Sequence, residues 1–139
     1  MADKPTITIE AHVNAPAEKV WSIWTNPDDI TKWSTPSPDW YTPKAEHELK
    51  PGGTFNYRME ARDGSFGFDF GGVFDVVTPN KYLEYTIGDG RKVKINFNDE
   101  GKNIHIVQTF EAESENPIEM QRSGWQAILD NFKKYTEAN

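Results

Sequence analysis

Ile7, Ile9, Ala11 and Val13 alternate with Thr8, Glu10 and His12, the period-2 pattern of a strand buried on one face. Asn14-Ala15-Pro16-Ala17-Glu18 then leads into Val20, Trp21, Ile23 and Trp24, the spacing of a short amphipathic helix with proline in its opening turn. Asn26-Pro27-Asp28-Asp29 signals a second short helix: a capping side chain, a first-turn proline and two acids at the positive end of the helix dipole, with Ile30 and Trp33 as anchors. Residues 34–43 hold three prolines and predict a stiffened loop carrying Trp40 and Tyr41.

From Lys44 to Glu111 turn chemistry recurs at Pro51-Gly52-Gly53, Asp63-Gly64, Pro79-Asn80, Gly88-Asp89-Gly90 and Asn98-Asp99-Glu100-Gly101. Strands separated by tight turns make an antiparallel meander, here of six. Alternation assigns to the inner face Ala45, His47 and Leu49; Phe55, Tyr57 and Met59; Phe66, Phe68, Phe70, Phe74 and Val76; Leu83, Tyr85 and Ile87; Val93, Ile95 and Phe97; and Ile104, Ile106, Gln108 and Phe110. Gly71-Gly72 inside the longest strand predicts a bulge or bend that lets the sheet curl. Asn116-Pro117-Ile118-Glu119 opens a final helix in which Trp125, Ile128, Leu129, Phe132 and Tyr135 follow at helical spacing. The sum is one α+β domain over residues 1–139: a curved seven-stranded antiparallel sheet around a long C-terminal helix, with two short helices after the first strand.

Composition narrows the function classes. The absence of cysteine excludes disulfides, thiolate metal sites and cysteine nucleophiles. A net charge of −7 opposes a phosphate backbone, so no nucleic-acid partner is expected. Met1–Glu10 lacks the pattern of a secretory leader and no apolar run is long enough for membrane insertion, which makes the cytoplasm the expected compartment. Aromatic residues make up 13% of the chain, and aromatics line apolar pockets as well as cores.

His47, Tyr57, Tyr85 and Gln108 are polar groups on the inner face, where each needs a partner. Either they bond one another and ordered water, or they orient a ligand in an otherwise apolar pocket whose body Phe68, Phe70, Phe97 and Trp125 would grip. Gln121, one turn before Trp125, is a further candidate contact. Gly124 beside Trp125 suggests close backbone approach or room left for a ligand. Trp33, Trp40 and Tyr41 are candidates for a gate over the pocket, the alternatives being core packing of the short helices for Trp33 and a loop clamp that seals the core for Trp40 and Tyr41. For acid–base chemistry the candidates are His47 and Asp69, and alternation turns Asp69 outward. His12 and His105 also fall on the outer face. The three histidines lie on three strands, none at a spacing that shares a metal within one element, so neither metal nor cofactor is expected.

The string Pro16-x-x-x-Val20-Trp21-x-x-Trp24-Thr25-x-Pro27-x-x-Ile30-x-x-Trp33 resembles the bacterial homologues of the heat-shock protein 90 ATPase activator. So do Leu49-x-x-Gly52-Gly53-x-Phe55, Gly72-x-Phe74, Pro79-x-x-x-Leu83 and the region of Trp125, over about Ile7 to Tyr135. The resemblance implies the helix-grip fold of START-like (SRPBCC) domains, with a cavity between sheet and long helix, and relatives that bind lipids, sterols or polyphenols. It also implies two alternatives, a cyclase or hydratase and a co-chaperone; for the first, His47, by its inner-face position, is the candidate general acid or base. The eukaryotic activator's additional chaperone-binding domain has no counterpart in this length, which places a chaperone partner behind a small hydrophobic molecule; a binding protein is the leading expectation and an enzyme using the same pocket its competitor. Where the family often has a second aromatic, Ser34 follows Trp33, which implies a more polar pocket entrance.

Overall fold

The computed structural model describes residues 5–35 and 38–139; Pro36 and Ser37 of the predicted loop, and the first four residues of the predicted domain, lie outside the described residues. The elements follow the predicted order: β1 (Thr6–Val13), α1 (Ala17–Thr25), α2 (Pro27–Trp33), β2 (Trp40–His47), β3 (Thr54–Ala61), β4 (Gly67–Thr78), β5 (Tyr82–Ile87), β6 (Lys92–Asp99), β7 (Ile104–Glu111) and α3 (Ile118–Ala138). The seven strands form one antiparallel sheet in the order β1-β7-β6-β5-β4-β3-β2, curled into a half-barrel. The first strand therefore closes onto the last, and the meander runs outward to β2 at the far edge.

Local chemistry explains most boundaries. The Asn26 side chain accepts a hydrogen bond from the Asp28 amide at 3.1 Å, capping α2 ahead of its first-turn proline. Asn80 (φ 67°) and Gly90 (φ 93°) adopt the left-handed conformation that closes the β4–β5 and β5–β6 turns. At α3 the expected asparagine cap is absent. Pro117 occupies the cap position with no side-chain bond, and the Asn116 amide group instead donates to Glu113 Oε1 at 2.7 Å.

Three expectations are corrected. The strand at the far edge begins at Trp40, inside the predicted loop, because an edge strand accommodates Pro43 by interrupting its pairing between Tyr41 and Lys44. The β4 irregularity falls between Phe74 and Val76, not at Gly71-Gly72. Asp75 is the extra residue, so Val77, opposite Leu83, takes the inward place assigned to Val76, which is exposed. Gly71 and Gly72 pair in regular register, and a Cβ on Gly72 would collide with the Thr86 carbonyl oxygen: the glycine serves close strand approach. Phe66, also assigned inward, lies one residue before β4 and is 60% exposed, its ring 6.0 Å from that of Trp40.

The core forms where the inner faces of β1, β7 and β6 meet α3, with Ile7, Val13, Val93, Ile95, Ile106, Phe110, Leu129 and Phe132 essentially inaccessible. Trp24, Trp33 and Phe132 lock together with ring centroids 4.7–4.9 Å apart, and Trp33 Nε1 donates to the Ile23 carbonyl at 3.2 Å. The helix α3 lies along β1, and α2 lies against β2. The middle of the half-barrel is left to be filled by side chains alone.

Candidate functional site

Those side chains do not fill it. A cavity of about 260 Å³ lies between the concave face of β2–β5 and β7, the helix α3, and the α1–α2 corner. Its walls are Phe55, Phe70 and Phe74 from the sheet, Trp125, Ile128 and Leu129 from α3, and Trp24, Ile30 and Trp33 from the corner. Trp125 is held by stacking on Phe110, centroids 3.9 Å apart and planes within 11°, and meets Phe70 edge-on.

A few polar groups face this apolar space. His47 Nδ1 shares a 2.8 Å hydrogen bond with the Tyr57 hydroxyl. Burial holds the His47 pKa below its ordinary 6.5, against a smaller opposing pull from the Thr25 backbone, so the ring is neutral at pH 7. Burial also raises the Tyr57 and Tyr85 pKa values, keeping both as phenols. Gln108 is 5% exposed, and neither its amide nor the Tyr85 hydroxyl bonds another described residue. Both residues line the cavity.

Of the predicted contacts, His47, Tyr57, Phe68, Phe70, Tyr85, Gln108 and Trp125 are brought together around this space. Phe68, 39% exposed, stands at its mouth. Two do not join. Phe97 is covered edge-on by Trp21 and Trp24, at 5.5 and 5.4 Å, so α1 shuts it off. Gln121 is spent on the β7–α3 connection, where its amide accepts from the Glu113 amide at 2.9 Å and donates to the Glu113 and Asn116 carbonyls. Among the gate candidates, Trp33 lines the cavity from within. Trp40 packs on Phe66 and Phe68 beside the mouth, while Tyr41 bonds Glu60 at 3.1 Å beneath Arg62, outside the cavity. Ser34, the departure from the family pattern, is buried in the wall.

Arg91 was not among the expected residues. Its side chain is 15% exposed at the cavity wall, where Nε donates to Asp89 at 2.8 Å and Nη1 to the Glu111 carbonyl at 3.3 Å. The signal was present: continuing the β6 alternation of Val93, Ile95 and Phe97 one step back puts Arg91 on the same face. A Cβ on Gly124 would meet nothing within 4 Å and the residue does not line the cavity, which removes both readings of that glycine.

Comparison with known proteins agrees with this architecture. Residues 14–137 match the family model described as Activator of Hsp90 ATPase homolog 1-like protein. The solution structure of the AHSA1-like protein from Aeromonas hydrophila is 42% identical, with 96% of this chain and 93% of that one covered at a TM-score of 0.91. A protein from Cytophaga hutchinsonii is 54% identical over 96% and 93% of the two chains, TM-score 0.84. A Chromobacterium violaceum protein at 22% identity shares the fold, TM-score 0.87 over 97% and 99%. No curated protein is matched.

Proposed function

Since the chain belongs to the Activator of Hsp90 ATPase homolog 1-like family, we propose that it is a binding protein for a small, largely apolar molecule held between the sheet and α3. The observation that carries this reading is the pair Gln108 and Tyr85. Each is a buried residue whose polar group faces an apolar cavity and bonds no described residue. Both polar groups open onto the cavity and are not sealed in packed core, so a ligand offering one acceptor and one donor would bond both. The walls favour a planar ligand, because Phe55, Phe70, Phe74 and Trp125 supply aromatic surface against which a flat molecule can pack.

Size narrows the class. At about 260 Å³ the cavity is just below the roughly 300 Å³ at which ligand pockets begin, so compact ring compounds such as polyphenols or cyclic polyketides suit it better than two-chain lipids. The test is a thermal-shift and tryptophan-fluorescence screen against polyphenols, cyclic polyketides, sterols and fatty acids. Ligand at a hundred times Kd adds about 2.7 kcal/mol, worth about 9 °C at the usual unfolding entropy per residue. Failure of every class to raise Tm would count against the reading and favour a protein-interaction role.

A second reading rests on the His47–Tyr57 hydrogen bond. A neutral imidazole poised by a phenol can accept a proton, as a cyclase or hydratase requires. In that case His47→Ala abolishes turnover of a bound compound while its Kd changes little; loss of binding alone supports the non-enzymatic reading.

A further inference from the structure

On the outer face of the sheet, opposite the cavity, the β1–β7 register sets His12 directly across from His105. The two rings stack with centroids 4.1 Å apart and planes within 6°. One carboxylate spans an edge of the stack: Glu100 Oε1 lies 3.3 Å from His12 Nδ1 and Oε2 lies 3.8 Å from His105 Nδ1. The Asn103 side-chain oxygen is also 3.3 Å from His12 Nδ1. The Asn103 oxygen at His12 Nδ1 favours the His12 tautomer that carries its proton there and leaves its Nε2 lone pair free, while Glu100 stands beside the His105 Nδ1 beyond hydrogen-bond distance. Glu10 Oε2 stands 3.7 Å from His105 Nε2, too far for a hydrogen bond, and that buried Nε2 has no hydrogen-bond partner.

These are the parts of a metal site. Glu10, His12 and His105 each offer one ligand atom, all within 4.8 Å of one another. Around a tetrahedral ion with bonds of about 2.1 Å, neighbouring ligand atoms sit about 3.4 Å apart. The Glu10–His105 separation needs only a slight closing, and His12, with 53% of its side chain exposed, is free to swing its ring out of the stack toward the same point. A carboxylate receiving the remote N–H of a ligating imidazole is the usual outer-sphere partner in such sites.

We propose that Glu10, His12 and His105 bind a divalent transition-metal ion, with Glu100, whose carboxylate lies beside both Nδ1 atoms, as the group that would orient the imidazoles once the ion is bound. Two imidazoles and one carboxylate favour zinc, nickel or copper over magnesium or calcium. The ion would pin the first strand of the sheet to the last, and the coordination positions left over would be taken by water. Spacing along the chain hides this site, since its ligands meet only through strand pairing.

The test is calorimetric titration of tag-free protein with zinc chloride, read beside the histidine-ring NMR signals. One equivalent is expected to bind and to move the His12 and His105 signals together. His12→Ala should weaken binding more than tenfold, and Glu100→Gln by about tenfold, the lower end for loss of an outer-sphere partner. Glu46→Gln, an exposed carboxylate on the far edge strand, should change nothing. Glu10→Gln provides an independent ligand deletion should His12→Ala fail to fold. No binding at millimolar zinc, or unchanged affinity in the ligand variants, overturns the proposal.

Discussion

Replacing Gln108 by leucine separates a residue kept for a ligand from one kept for the fold. Gln108 lies on β7 opposite Ile9 and Ile95, neither of which can bond its amide. Leucine has a similar volume and no polar atoms, so the exchange removes an unpaired group while preserving packing. The penalty for such a group is about 1–3 kcal/mol. Because the amide borders a cavity large enough to admit water, the lower end applies and the gain should be about 1 kcal/mol. At about 2.1 cal/mol/K of unfolding entropy per residue, that raises Tm by about 3 °C for a chain of this length. The same variant loses one hydrogen bond to the ligand, about 0.5–1.5 kcal/mol, which weakens Kd by about 2- to 12-fold. Differential scanning calorimetry of the free protein and fluorescence titration with a compound found by screening measure the two effects. A variant that is destabilised and binds as tightly as before would show that Gln108 holds the fold.

Gly124→Ala should raise Tm by about 3 °C, since a helix-interior glycine costs about 0.8–1.0 kcal/mol against alanine and the new methyl meets open space; ligand affinity should be unchanged, and a lower Tm would contradict the open space found there. Gly72→Ala should be strongly destabilising, seen as a lower urea midpoint, because its Cβ collides with the Thr86 carbonyl across two central strands. Stability should also depend on pH through His47. Its pKa is lowered in the folded state, so the unfolded chain binds the proton first, and stability declines as pH falls from about 6.5. His47→Gln should flatten that part of the Tm profile, and an unchanged slope would assign it to other groups.

The alternation of Ile7, Ile9, Ala11 and Val13, and the helical spacing from Trp125 to Tyr135, were enough to place β1 and α3 on the core, because both elements present one apolar side to it. What alternation could not reveal is where phase is lost. The extra residue at Asp75 carries no glycine or proline signal, and Val76 and Val77 are equally apolar. Seven of the nine expected pocket contacts line the cavity because sheet residues of one face converge on a concave surface. Phe97 and Gln121 fail for a different reason: their inward direction is right, but α1 and the β7–α3 connection reach them first. The facing of His12 and His105 depends on the pairing of the first and last strands, which no local pattern specifies.

The central claim is that a ligand enters the space between the sheet and α3, and backbone and indole NMR titration of the labelled protein with the best compound from the screen tests it most directly. Saturable shifts centred on Tyr57, Phe70, Tyr85, Gln108 and Trp125, absent from the outward-facing Thr8 and Thr109, are the predicted result. Shifts confined to the outer face, with the Trp125 indole unmoved, would contradict it.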